Sequence, residues 1–241
     1  LTSQAVPPDE HPWIEQFGSS VSYRAYRSGV RDYYKKHYPL TVEALENPFL
    51  NPGGGGVSRL CHEPRVGLAV LTDMLAPYAA TGKLLTLLEH EPVRADVQGD
   101  RVRAVVVRNR RTEAEVALTA PYILDATELG DLLPMAGVEH VVGAESQAQT
   151  GEPHALSEPA PGVQQAFTVC FPTEHRPGED HTIDRPAEYD FWRDYVPQLS
   201  PSWPGKLLSL TYTQPITRKP ITQKFDPTGD GKGLWLYRRI M

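Results

Sequence analysis

The stretch ILDATELGD, residues 123–131, decides the fold. Ile123 and Leu124 run into Asp125, the small Ala126 and Thr127 follow, and after Glu128 and Leu129 the chain reaches Gly130 and a second acid, Asp131. A strand buried on both faces ends in this way at the carboxyl edge of a parallel sheet, and in open α/β sheets that edge is where ligands bind. Gly130 lets the main chain approach a bound group, and Asp131 can accept hydrogen bonds from hydroxyls or from the amides of the following turn. The plainer reading of the same residues is a core strand leading into a helix whose first turn carries acids to suit its dipole.

Working outward, PYILDAT (121–127) is preceded by three alternating segments: PVRADVQ (92–98), RVRAVVVRN (101–109) and EVALTA (115–120). The first two join through Gly99-Asp100, so the three form a meander. KLLTLLEH (83–90) reads as a short buried strand before it. Pro64 suits the first turn of a helix in which Leu68, Leu71, Leu75 and Tyr78 make one apolar stripe, ending near Pro77 and Gly82. Earlier still, Ser19 or Ser20 caps a helix with Tyr23, Tyr26, Val30, Tyr33 and Tyr34 at helical spacing, ending near His37 before Pro39. Residues 39–60 are expected to be loop. The four glycines of NPGGGGV (51–57) lack the Lys-Ser/Thr of a phosphate loop and read as flexible chain.

A helix feeding a buried strand, a meander and a second buried strand is the plan of an α/β domain carrying a β excursion. Residues 143–162 suggest a crossing loop or the edge of a second region. VQQAFTVCF (163–171), KLLSLTYTQ (206–214) and LWLYRRI (234–240) read as strands, and PAEYDFWRDYV (186–196) as a short helix.

The chain has 241 residues, 40% hydrophobic and 22% charged, enough apolar material for a sizeable core. A net charge of −6 argues against a nucleic-acid partner for the whole surface. Two cysteines, Cys61 and Cys170, without a C-x-x-C pair, argue against a disulfide scaffold, a structural zinc site or a dithiol couple. No apolar run reaches the roughly 18–20 residues that span a bilayer, and Leu1 onward lacks the pattern of a secretory leader, so no membrane association and a cytoplasmic location are expected. The start without Met and the stop on GLWLYRRIM read as a piece cut at both ends.

At Asp125, Ala126, Thr127, Gly130, Asp131 and Leu132, followed by MAGVEH at 135–140, the sequence resembles the FAD-dependent oxidoreductases of the glutathione-reductase-like superfamily, in the branch with a DAT-x-x-GD-L turn. The run from about His62 to His140 is similar to the second half of such a flavin domain. The resemblance implies a fold of α/β class: a partial FAD-binding Rossmann-like domain with a three-stranded β-meander over 1–142, then part of a β-rich α+β substrate domain over 143–241. It implies FAD as cofactor, met by Asp125, Ala126, Thr127, Glu128, Gly130 and Asp131, with backbone groups near Val93 toward the adenine. It also implies hydride transfer between flavin and an organic substrate, a small molecule or a saccharide. Many relatives have Gly where Glu128 stands, and the G-x-G-x-x-G turn that holds a pyrophosphate is absent, so this piece alone is expected to bind FAD poorly and to be inactive.

In the same family the segment matching LTSQAVPPDEHPW passes near the flavin ring, which makes Ser3, Gln4 and His11 candidates for flavin or substrate; the alternative is that Gln4 and His11 satisfy loop backbone. SRLCHEPR (58–65) gathers Arg59, Cys61, His62, Glu63 and Arg65 before a helix, with Arg59 and His62 as substrate candidates. Adjacent Cys61 and His62 side chains diverge, so a nucleophilic pair is not expected; a buried Cys and helix-capping neighbours are. Arg24, Arg27, Arg31 and Lys35 read as a solvated face, or as an attractor for an acidic substrate such as a uronic-acid polymer. DPTGDG (226–231) begins like a calcium loop, but position twelve would be Tyr237, and a hairpin turn is expected, with no metal site. The alternatives to a flavoenzyme are a carbohydrate-binding β-rich module using Trp192, Trp203 and Trp235, or a polysaccharide lyase or hydrolase with a carboxylate pair. No catalytic base is identified.

Overall fold

The computed structural model describes residues 13–56, 58–164, 171–199, 202, 205–214, 217–227 and 233–237. They form two compact units, 1–84 together with 174–241, and 85–173.

In the first unit, helix α1 spans Val21–His37. Ser20 caps it in the extended conformation, its Oγ accepting from the Tyr23 amide at 3.1 Å. Lys35, Lys36 and His37 suit the negative end of the helix dipole. Within the segment expected to be loop lies one short helix, α2, Val42–Glu46, capped by Thr41. Helix α3, Pro64–Ala80, starts with Pro64 in its first turn, where the missing N–H costs nothing. The core is Val30 and Tyr34 from α1 with Leu60, Val66 and Val70.

The buried face of α3 is not the expected one. Val66, Gly67 and Val70 are buried, whereas Leu68, Leu75 and Tyr78 are exposed and Leu71 is half-buried. The helix offers two apolar faces, and the one with small and β-branched residues comes closest to α1. A Cβ on Gly67 would lie 2.7 Å from Tyr26 Oη, and one on Gly29 would lie 2.8 Å from Val70 Cγ1.

The second unit carries the meander: β1 (His90–Gln98), β2 (Arg101–Asn109) and β3 (Glu115–Leu118), antiparallel in that order. Gly99, at φ +57°, supplies the left-handed conformation of the turn between β1 and β2. Ala104, Val105 and Val106 of β2 are buried. Then follow α4 (Leu132–Met135) and α5 (Gln147–Thr150), the latter opened by a Ser146–Gln149 capping box. Back in the first unit come α6 (Tyr189–Asp194), a hairpin of β4 (Thr211–Thr213) and β5 (Pro220–Thr222), and α7 (Leu234–Tyr237).

The fold is therefore mixed α/β with a three-stranded antiparallel sheet. Two expected buried strands are absent: KLLTLLEH and PYILDAT carry no strand before His90 or after Leu118, and Leu85, Leu88, Tyr122 and Leu124 are 79%, 76%, 83% and 84% exposed. Among the described residues no strand pairs with either segment, and a parallel strand exists only where neighbours take its backbone N–H and C=O groups. Of KLLSLTYTQ only Thr211–Thr213 is strand, and Leu234–Tyr237 is a helical turn rather than the start of a strand. Most of VQQAFTVCF, residues 165–170, lies outside the described residues.

Candidate functional site

The opening stretch folds as a self-tied turn. Asp125 Oδ1 accepts from the Thr127 amide at 2.9 Å and from Thr127 Oγ1 at 2.7 Å; its Oδ2 accepts from the Leu132 amide, at the start of α4, at 3.0 Å. The Asp131 amide donates to Thr127 Oγ1 at 2.7 Å. Hydrogen bonds to the charged form, first from the Thr127 hydroxyl and then from the amides, hold the Asp125 carboxyl below the usual carboxylate range. Gly130 sits at φ +68°, and a Cβ there would lie 3.1 Å from Leu133 Cδ1. Past α4 the Gly137 amide donates to Pro134 O at 3.2 Å and the Val138 amide to Leu133 O at 3.0 Å, closing the helix with Gly137 left-handed.

Between these ties, the amides of Glu128, Leu129 and Gly130 have no hydrogen-bond partner among the described residues, and neither has the Asp131 carboxylate. Glu128, Leu129 and Gly130 line an open depression of about 450 Å³ together with Leu133, His140 and Val142, among others, and Asp131 follows them directly in the chain. Amide donors and a nearby carboxylate acceptor, with a hollow of mixed polar and apolar lining, match the needs of a phosphate, a hydroxylated sugar and a ring, so the donor set fits a dinucleotide. Glu128 is exposed and lines the hollow, where its charge opposes a phosphate. Leu133 and Val142, which line the hollow, were not singled out in the sequence, and His140 entered only as the end of the MAGVEH run.

Val93 lies in β1 at a register shift. Pro92 pairs with Val107 and Arg94 with Val106, which leaves Val93 opposite no residue of β2. Such a bulge frees backbone groups from the ladder. α4 packs beside β1, so the turn and the bulged strand belong to neighbouring elements of one unit.

The SRLCHEPR cluster is in the other unit and divides. Arg59 is exposed, whereas Cys61 and His62 are buried. His62 Nδ1 lies 3.0 Å from Leu60 O and Nε2 lies 3.0 Å from Tyr26 Oη, so Nδ1 carries the proton and Nε2 accepts from the phenol. Burial holds the imidazole below its ordinary pKa, in the neutral form. Glu63, also buried, accepts from the Tyr34 hydroxyl at 3.1 Å, from the Tyr38 hydroxyl and from Arg65. It stands at the N-cap of α3 but makes no side-chain cap bond, so the expected capping role belongs to backbone alone. Burial, chiefly, raises Tyr34 beyond the ordinary phenol range.

The basic row on α1 is a correction as well. Arg27 and Arg31 are buried, not solvated: Glu15 Oε1 lies 2.8 Å from Arg27 Nε and 2.6 Å from Arg31 Nη2. Helical spacing shows which residues share a face but not which loop folds over it. Ser3, Gln4 and His11 lie outside the described residues, as does Trp203. Trp192 packs edge-on against Phe191 and Tyr195, and Trp235 against Phe225, on helical turns rather than on a sheet face. Among the described residues no helix is long and apolar enough to cross a membrane.

A family model described as FAD dependent oxidoreductase matches residues 1–238. No curated protein and no solved structure matches the chain.

Proposed function

The chain belongs to the FAD dependent oxidoreductase family, whose chemistry is flavin-linked redox, and from that premise we propose that the 125–131 turn is where it meets the nucleotide part of FAD. The observation that carries this reading is the set of groups on the turn without a partner among the described residues: three successive amides, Glu128 to Gly130, in residues that line an open hollow, and the Asp131 carboxylate next to them in the chain. Amides suit phosphate oxygens and the carboxylate suits sugar hydroxyls. Ala126, small and exposed, keeps the approach open. The freed backbone at Val93 supports a role toward the adenine edge, and Glu128 is read as turned outward or met by a cation.

On the same reading residues 1–142 form the cofactor part, Rossmann-like, and 143–241 belong to the substrate part. Bound flavin supplies a hydride acceptor at N5, or a donor when reduced. The substrate is a small organic molecule, and Arg59 and His62, with Ser3, Gln4 and His11, are the groups proposed near it. His62, buried and neutral, has both ring nitrogens bonded to Leu60 O and Tyr26 Oη, so on this reading it fixes the wall near the substrate rather than transferring a proton at neutral pH. The carbohydrate-module and polysaccharide-lyase alternatives find no support in the family match. The test is to express the complete gene product that carries this chain and record its visible spectrum. Oxidised-flavin bands that bleach on reduction are expected; a colourless, folded protein that ignores added FAD defeats the reading.

A further inference from the structure

Asp125 would by its position in the motif be one more group touching the cofactor. The hydrogen bonds give it another task. Its Oδ1 is taken by the amide and hydroxyl of Thr127 and its Oδ2 by the amide of Leu132. Of about four acceptor sites on a carboxylate, three are in use. The Thr127 hydroxyl has one proton and gives it to Asp125, so toward Asp131 it can only accept, and the Asp131 amide does donate to it. The result is a directed chain: Asp131 N–H to Thr127 Oγ1, Thr127 O–H to Asp125 Oδ1. A second arm runs from Leu132 N–H to Oδ2.

We infer that Asp125 positions the turn for FAD rather than binding it, acting through Thr127, so that both ends of the turn are tied to one carboxylate while Glu128 to Gly130 are held outward with their amides free. This rests on the proposal that the turn meets FAD. The assignment separates two acids of the same motif: Asp125, whose oxygens point into the turn, and Asp131, whose carboxylate has no partner among the described residues and is left for the ligand. Thr127 needs its hydroxyl because it is both donor and acceptor, and serine can replace it where valine cannot. A sugar hydroxyl arriving at Asp125 would displace an existing bond; one arriving at Asp131 would not.

The test uses the complete gene product and the variants Asp125→Ala, Thr127→Val, Thr127→Ser and the double variant Asp125→Ala/Thr127→Val. Two quantities are measured: hydrogen exchange at the Asp131 and Leu132 amides without FAD, and the dissociation constant for FAD from flavin fluorescence. Without FAD, Asp125→Ala accelerates exchange at both amides. Thr127→Val accelerates it at Asp131, and Thr127→Ser leaves it near the parent. FAD binding weakens roughly tenfold in Asp125→Ala and in Thr127→Val, the scale of one lost charge-assisted hydrogen bond. Thr127→Ser stays within about twofold, and the double variant binds no more weakly than the worse single one, because the pair acts as one unit. Unchanged exchange in Asp125→Ala, FAD binding equal to the parent, or single losses that multiply in the double variant each overturn the inference alone. A parent that takes up no FAD overturns the reading of the turn, and this inference with it.

Discussion

Gly67 is where the α1–α3 junction is tightest. Tyr26 Oη and His62 Nε2 occupy the space its missing side chain leaves, 2.7 Å and 3.0 Å from where a Cβ would be. The Tyr26–His62 hydrogen bond therefore depends on a glycine three residues into α3. Gly67→Ala should destabilise the protein by about 1–3 kcal/mol despite alanine's better helix propensity, since overpacking outweighs the fraction of a kcal/mol that propensity contributes. Urea unfolding measures it. Adding Tyr26→Phe removes the atom in the way, so the double variant should be less unstable than the sum of the single changes. Strict additivity would show that the hydroxyl is not what the new methyl meets.

At the scale of elements, α1 is held by what folds over its basic face. Glu15, in the turn before the helix, faces the guanidinium groups of Arg27 and Arg31, and Arg31 Nε also donates to Leu50 O at 2.9 Å. Burial by itself raises the Glu15 pKa, but the hydrogen bonds and charges of the two arginines more than offset it, and the net shift is downward. A carboxyl depressed in the fold stabilises above its unfolded pKa, and that stability is lost as pH falls through the folded value. Glu15→Ala should cost about 3 kcal/mol, because it removes the carboxylate that both buried guanidinium groups face. It should also flatten the acid limb of the stability curve. Chemical denaturation at neutral pH and at about pH 4 checks both; a variant as acid-sensitive as the parent removes Glu15 from the account.

In the molecule as a whole, order is uneven. The largest buried side chains belong to the α1–α3 unit, and the second unit relies on β2 for its core. Residues 119–130 have exposed apolar side chains and no ladder. Amide hydrogen exchange of this chain should therefore show slow exchange in α1, α3 and the β1–β2 pair. Residues 120–126 should exchange fast, since exposed amides outside ladders open at little cost. Protection there would mean that PYILDAT is a strand with a partner after all.

Much of the local structure was legible in the residues. Ser20 as cap, Pro64 in a first turn, Gly99 at a left-handed turn and the alternation of RVRAVVVRN each act within a few positions, and α1, α3 and the meander follow from them. The DAT-x-x-GD run was legible as a turn, with Gly130 left-handed, but not as the end of a buried strand. Only the tertiary structure decided which face of α3 is buried, that Arg27 and Arg31 are covered by Glu15, and that Asp125 faces inward while Asp131 does not. The physical reason is range. Capping, turn and pairing preferences are set by neighbours in sequence, whereas burial and the last hydrogen bond of a carboxylate are set by what lies across the fold, which spacing along the chain does not record.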